Sequence, residues 1–312
     1  MSGSAFAYRQ FHNQPAGSPL DRSLTELWAT VRQETGGKLD VNVCPRNDGI
    51  PGGDPQALAM LRAGEVEFYV LMGGLLGAVA PVAEITGLPF AFASYARVFA
   101  AIDGALGDHI RQELLAKGIY AVPRACFDNG FRHITARARP IRTADDLVGL
   151  KIRTPAGRLF IDFFESLGAR PAPINLNKLY DALKAGTVEA QENPLAMVEV
   201  NRLYEVQTYL SFTDHMWSGF NLLANADRWR ALPADVREAV ERVAPRYAAR
   251  QREDNAAFNA ALRTRLAERG MIVNEADRAS IRARLGPFYA RWKREFGAAA
   301  WGLLEADVGP LG

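Results

Sequence analysis

The chain has 312 residues, of which 48% are hydrophobic and 23% charged, and a net charge of +2. That length admits one large or two ordinary domains, and the balance is that of a globular protein. The charge is too small to imply nucleic acid and no basic run is interleaved with aromatics, so no nucleic-acid partner is expected. The longest apolar run, residues 70–83, is broken by glycines and Pro81 and is too short to span a membrane.

Residues 1–4 lack the basic and apolar regions of a signal peptide and read as a trimmed start, so an export signal is expected to have been removed. Residues 5–11 predict a strand. Leu20, Leu24, Leu27, Trp28 and Val31 then share one helical face, closed by Gly36 and Gly37. Leu39, Val41 and Val43 alternate as a strand. Asp54 is placed as an N-cap with Pro55 at the first helical position and Gly64 past the end, and residues 68–72 form an apolar run of strand length. This β-α-β-α-β order predicts a mostly parallel sheet covered by helices.

Residues 73–87 are glycine-rich and apolar but carry neither GxGxxG nor GK[ST], which argues against a nucleotide loop. They fit a backbone-lined ligand loop or a plain packing corner equally well. A helix over 95–117 and a long extended run over 119–127 follow, with a domain crossing expected near Ala125.

The second α/β unit begins with an extended stretch over 131–135. Thr143 and Asp146 form a capping-box start. Residues 150–153 read as a strand, and Phe160, Phe163, Phe164 and Leu167 as one helix face. Asn175 is placed as the cap of the next helix, residues 188–191 as a strand, and Asn193 and Pro194 as N-cap and first position of a helix reaching about Tyr204. Two strands, 209–213 and 217–224, lead to a helix over 233–270 of roughly 50 Å at 1.5 Å per residue, which Pro245 should kink. Such a helix is expected to lie across both domains. Residues 285–304 should add outer helices. Lobe I is then 1–125 with 214–250, and lobe II is 126–213 with 251–312.

Cys44 and Cys126 lie in strand-like runs and are expected to be buried free thiols; a disulfide would need the two strands adjacent. The four histidines, His12, His109, His133 and His215, are far apart and no zinc spacing is present, so no metal or other cofactor is expected.

Clefts between domains and the carboxyl ends of strands are preferred ligand sites. Arg132, Arg153 and Asn193 are placed at such ends. A guanidinium presents a rigid fork of donors that fits a carboxylate, and an asparagine at a helix start adds a donor and partial positive charge. The set describes a receptor for a small organic anion. Trp217 and Phe220 line the cleft or belong to the core. Asp128 and Glu192 are the acid/base pair of a competing enzyme reading, which lacks a GxSxG elbow or any triad-like context.

The stretches GFRHIT, RPIRTADDLVGLKIRTP, LGARPAPINLNKLYDALKAGTVEAQENPLAMV and LYEVQTYLSFTDH, with GGDPQALAMLRAGEVEF and LPFAFASYARVFAAIDGALGD before them, resemble the solute-binding proteins of tripartite ATP-independent periplasmic (TRAP) transporters, the group related to the C4-dicarboxylate-binding proteins. The resemblance runs over about residues 6–300. It implies a two-lobed periplasmic-binding-protein-like α/β fold, a long kinked helix bridging both lobes, and closure over one ligand by a hinge-type population shift. Arg153 matches the family's main carboxylate-binding arginine, Arg132 an assisting one, and Asn193 the asparagine of the QENP block, with Gln191 beside it. Ala190 stands where many members have glycine.

Sialic-acid-binding members carry a glutamate near Met72, so Met72, with Gly73, implies a smaller or less polar acid. Asp54 matches an acidic position near the cleft, and Phe90, Trp217 and Phe220 would shape the pocket. The implied protein is a monomeric, non-catalytic periplasmic receptor that delivers a small organic acid to TRAP membrane subunits. A non-carboxylate solute, or a membrane sensor as partner, would use the same residues.

Overall fold

A computed structural model describes residues 6–311. The reading of residues 1–4 as a trimmed start, and of Ala5 as the first strand residue, lies outside them. In chain order the elements are β1 (Phe6–His12), α1 (Pro19–Glu34), β2 (Leu39–Cys44), α2 (Gly53–Ala63), β3 (Phe68–Met72), α3 (Tyr95–Asp103), α4 (Ala105–Leu115) and β4 (Ile119–Ala136). They continue with β5 (Lys151–Thr154), α5 (Arg158–Ser166), β6 (Arg170–Pro173), α6 (Leu179–Lys184), β7 (Ala190–Pro194), α7 (Leu195–Val200), β8 (Tyr209–Phe212) and β9 (Trp217–Asn225). The last are α8 (Ala226–Ala231), α9 (Ala234–Glu268), β10 (Ile272–Glu275), α10 (Arg278–Arg282) and α11 (Gly286–Val308). This is an α/β fold of the two-lobed periplasmic-binding-protein type.

The chain divides into two compact units. Unit one takes the described residues up to Met72, with Gly107–Asp128 and Gly219–Asn255; unit two takes Gly73–Leu106, Asn129–Ser218 and the described residues from Ala256 on. In unit one β1 pairs in parallel with both β2 and β3, as the alternating helices require, and β3 pairs antiparallel with β9. Phe68 is the hub of its core, with ring centroids 4.6 Å from Trp28, 5.9 Å from Tyr8 and 6.4 Å from Trp229. All five apolar positions read onto one face of α1 are buried, and Ser18 caps that helix through Asp21 N.

In unit two β5 pairs in parallel with β6 and β7, whereas β4 pairs antiparallel with β7 and β8. Leu183, Val198, Leu210, Leu262 and Leu266 form part of its core. The Thr143–Asp146 capping box is present, on a single 3-10 turn.

The sequence division placed residues 73–106 with lobe I. Their packing is onto unit two. Two 3-10 turns, Gly73–Ala78 and Pro81–Gly87, lie against α5 and α11. A Cβ on Gly74 would sit 2.4 Å from the Phe160 ring, so the backbone there approaches α5 more closely than any other residue permits. Gly74 therefore serves a packing corner.

Several boundaries moved. The single helix expected over 95–117 is two, broken at Gly104, where the backbone is extended. Strand β10 was not anticipated. The helix containing Pro245 is one unbroken element of 35 residues, whose residues are divided between the two units. Asn175 makes no side-chain cap bond. Both cysteines are free, but only Cys126 is buried; Cys44, at the end of β2, is partly exposed.

Candidate functional site

Strands β4, β7 and β5 are neighbours in unit two, and their register decides which side chains meet. Gln191 lies opposite Thr135 on one side and Arg153 on the other, and Asn193 lies opposite His133. Register partners share a sheet face, as do residues two apart. Arg153, Gln191, Asn193 and Thr135 are therefore brought onto one face, whereas Arg132 and Glu192 alternate to the other.

Arg153 is 3% exposed, and its Nε donates to Ile174 O at 2.7 Å, which fixes the plane of the guanidinium. Asn193 Nδ2 donates to Gln191 Oε1 at 2.6 Å, and Gln191 Nε2 donates to Thr135 Oγ1 at 2.9 Å, which in turn donates to Gln207 Oε1 at 3.2 Å. A chain of oriented groups thus runs from Asn193 through Gln191 to Thr135 and Gln207, and Arg153 is the register partner of Gln191 on the β5 side.

The sequence reading placed Asn193 and Pro194 at the start of a helix. Both belong to β7, and α7 begins one residue later, at Leu195. The local Asn-Pro signal lost to antiparallel pairing with β4. Asn193 consequently offers an amide held in a sheet, without the partial charge of a helix terminus.

Arg132 also differs from the expectation of a strand end, since it lies in the interior of β4. It is fully buried, with Nε 2.5 Å from Glu192 Oε2 and Nη2 2.7 Å from Glu192 Oε1, a bidentate pair. Its Nη1 donates to Ser218 Oγ at 3.1 Å and its Nη2 to Asn193 Oδ1 at 3.2 Å, and its guanidinium lies 5.1 Å over the Phe160 ring. Burial pushes the Glu192 carboxyl up, but the Arg132 charge and a bond from His215 outweigh it and hold the group below its ordinary value.

His215 Nε2 is 3.2 Å from Glu192 Oε2 and its Nδ1 is 2.8 Å from Thr213 Oγ1. Burial lowers its pKa, so it is a neutral imidazole that donates from Nε2 and accepts at Nδ1. Phe163 stacks on it at 5.4 Å. Both oxygens of Glu192 are thus occupied, and Asp128 Oδ2, in unit one, accepts from Asn255 at 2.7 Å. The two carboxylates of the enzyme reading are each engaged inside their own unit.

Glu84 was missed from the sequence, where it is one acid in an apolar stretch. It is 3% exposed, and Oε2 accepts from Leu159 N at 2.7 Å at the start of α5. Burial raises its pKa to about 7, against the pull of the α5 backbone N–H groups. A folded-state value above the unfolded one makes stability greatest below the unfolded value, with loss as pH rises toward the folded one. The window is therefore about pH 4.5 to 7, and the loss is about 3 kcal/mol at about 1.4 kcal/mol per unit. Glu84→Gln should abolish that slope. Denaturant melts of both proteins at pH 4.5 and 8 should converge at the acid end, with the variant the more stable at pH 8; parallel curves would refute the assignment.

In unit one Asp54 does not cap α2, whose N-cap is Gly52. Its Oδ1 accepts from Asn47 Nδ2 at 2.8 Å and Tyr69 Oη at 2.7 Å, and its Oδ2 from Asn13 Nδ2 at 2.9 Å. The amide oxygens of Asn13 and Asn47 are buried and meet no hydrogen-bond partner among the described residues. Met72 and Phe220 are buried register partners on β3 and β9. In unit two Gly73 is buried in its turn, Trp217 is 6.2 Å edge-to-face with Phe99, and Phe90 lines a cavity that contains none of Arg153, Gln191 and Asn193. No group of three or more His, Cys, Asp or Glu suited to a metal occurs among the described residues.

A family model described as DctP, bacterial extracellular solute-binding protein, family 7, matches residues 11–295. The chain belongs to this family. This family 7 solute-binding protein is 33% identical over 242 residues to an uncharacterised protein of Sinorhizobium fredii, a match covering 78% of this chain and 44% of the relative, so less than half of that relative's length is spanned. It is similar to a sugar acid binding protein of Advenella mimigardefordensis in complex with galactonate, at 27% identity and a TM-score of 0.91, covering 97% of this chain and 98% of that one. A TRAP periplasmic solute-binding protein of a Polaromonas species bound to D-erythronate is 28% identical, with a TM-score of 0.90 and coverage of 96% and 98%.

The family 7 assignment makes the chain a solute-binding protein of the TRAP type, a group of extracellular receptors that bind small carboxylates and work with membrane subunits. None of its helices, among the described residues, is long and apolar enough to cross a membrane.

Proposed function

We propose that this protein is a periplasmic, monomeric, non-catalytic receptor that captures a small hydroxylated organic acid and delivers it to TRAP membrane subunits. The observation that carries the reading is the buried row of Arg153, Gln191 and Asn193, with the guanidinium plane fixed by Ile174 O. Arg153 takes the carboxylate in a bidentate pair. Asn193, backed by Gln191, bonds the same group or an adjacent hydroxyl. Arg132, already matched by Glu192, supports Asn193.

Gly73 and Trp217, in the same unit as Arg153, supply apolar surface to the site. The galactonate and D-erythronate held by two similar structures are monocarboxylates with several hydroxyls, which supports a hydroxylated acid as the ligand class.

A thermal-shift screen tests the reading. A ligand at one hundred times its Kd stabilises by about 2.7 kcal/mol. Galactonate or erythronate should raise the Tm, succinate less, and galactose not at all. A shift with galactose alone would replace the acid by a neutral solute, and incubation that converts the acid to a product would make the protein an enzyme.

A further inference from the structure

Unit two contains a cavity of about 510 Å³ lined by Phe90, Phe92, Ala93, Phe131, Asp214, Arg278, Ala279 and Arg282. None of the residues assigned to acid capture lies in it except Phe90, which the sequence alone had grouped with them. Phe131 and Arg132 are consecutive on β4, so alternation separates the cavity from the Arg132–Glu192 pair, and no residue of the Arg153, Gln191 and Asn193 row lines it.

We propose that this cavity is a second ligand site, for a small aromatic carboxylate, with the ring on Phe90, Phe92 and Phe131 and the carboxylate on Arg282. Its volume lies in the range of pockets that enclose small molecules, and its composition follows their rule of an apolar body with few polar groups. Two guanidiniums face it against one carboxylate. Arg278 pairs with Asp214 and with Glu275, so its charge is matched locally. Arg282 is on the same side of α10 one turn later; it donates to Tyr289 Oη and keeps further donors on its fork for an incoming anion.

The aromatic floor is held in place. Phe131 meets Tyr95 edge-to-face at 5.1 Å, Phe92 is buried, and Phe90 is pinned by its N–H to His215 O at 2.9 Å. Two of the lining residues, Phe90 (φ 52°) and Asp214 (φ 41°), adopt the left-handed backbone region, which is unusual for a phenylalanine. A ring stacked on such a floor gains from offset or edge contacts in addition to burial. The alanines at 93 and 279 leave the space.

Phenylacetate titrated into isotope-labelled protein, followed by NMR, tests the proposal. Saturable shifts are expected for residues of 90–93 and 278–282, and they should persist in Arg153→Ala. Arg282→Ala should weaken the binding by about fivefold, the scale of one partly exposed ion pair. Ala279→Leu, which fills the cavity without touching a charge, should weaken it at least as much, and neutral 2-phenylethanol should bind less tightly than phenylacetate. Loss of binding in Arg153→Ala with none in the two α10 variants would assign phenylacetate to the acid site and overturn the proposal, as would shifts that never saturate. Failure of acid capture at Arg153 would leave these results unchanged, so the two readings fail separately.

Discussion

Arg153→Ala is expected to weaken acid binding by two to four decades while leaving the fold intact. Removing one partner of a buried, hydrogen-bonded charge pair costs about 3–5 kcal/mol, and each 1.4 kcal/mol is about a decade in Kd. Arg153 is buried on β5, with Nε committed to Ile174 O, so the side chain is oriented before ligand arrives. Arg153→Lys keeps the charge but not the planar fork, and its loss should fall between those of wild type and alanine. Calorimetry with galactonate reads the effect, and the Tm of the ligand-free variants controls for folding. An unchanged Kd in Arg153→Ala would remove this residue from the site.

Arg132 gives the contrast. Its charge is matched by Glu192, so its replacement should appear first in the Tm and only secondarily in affinity, through Asn193.

Why some placements were legible in the sequence and others were not is a matter of interaction range. Periodicity shows which residues of a helix or strand turn inward, and Leu20, Leu24, Leu27, Trp28 and Val31 were legible for that reason. Caps depend on three or four neighbours, and the Thr143–Asp146 box was legible too. The strand that carries Arg153 was readable because an apolar run leads into it, and the one that carries Gln191 because Val188 and Ala190 do the same.

Partners distant in sequence were not readable. Glu192 sits next to Gln191 in the chain, but the guanidinium it holds is 60 residues away. Asn193 and Asp54 both carry strong local capping signals, and both are overruled, by pairing with β4 in one case and by Tyr69 and Asn47 in the other. Strand β10 is four mostly exposed residues without alternation, and it exists because β8 offers it an edge. Glu84 had no signal beyond an acid among apolar residues, since its burial depends on the start of α5, some 75 residues on.

Glu192→Gln should then be the most destabilising single isosteric change in the Arg132 cluster. Glutamine keeps the volume but leaves the buried Arg132 charge without its counterion, at a cost of about 3–5 kcal/mol. Arg132→Met should cost a similar amount, because it strands the Glu192 carboxylate. Arg132→Met combined with Glu192→Gln removes both charges and should cost less than the sum, which is the signature of direct coupling in a double-mutant cycle.

The sign of the pH dependence separates this pair from Glu84. Glu192 sits below its ordinary value in the folded state, so its contribution is present above the unfolded value and is lost as pH falls through the folded one. Wild type should therefore lose stability on acidification below about pH 4.5, the side opposite to the Glu84 window, and Glu192→Gln should flatten that acid limb alone. His215 acts on the same side, because burial holds its imidazole below its ordinary value and the unfolded chain takes up a proton that the folded state resists; that part of the loss begins at higher pH and remains in Glu192→Gln. Additive single-variant costs, or an acid limb that Glu192→Gln leaves intact, would mean that Arg132 finds its counter-charge elsewhere, and the division of labour between the two arginines would have to be reassigned.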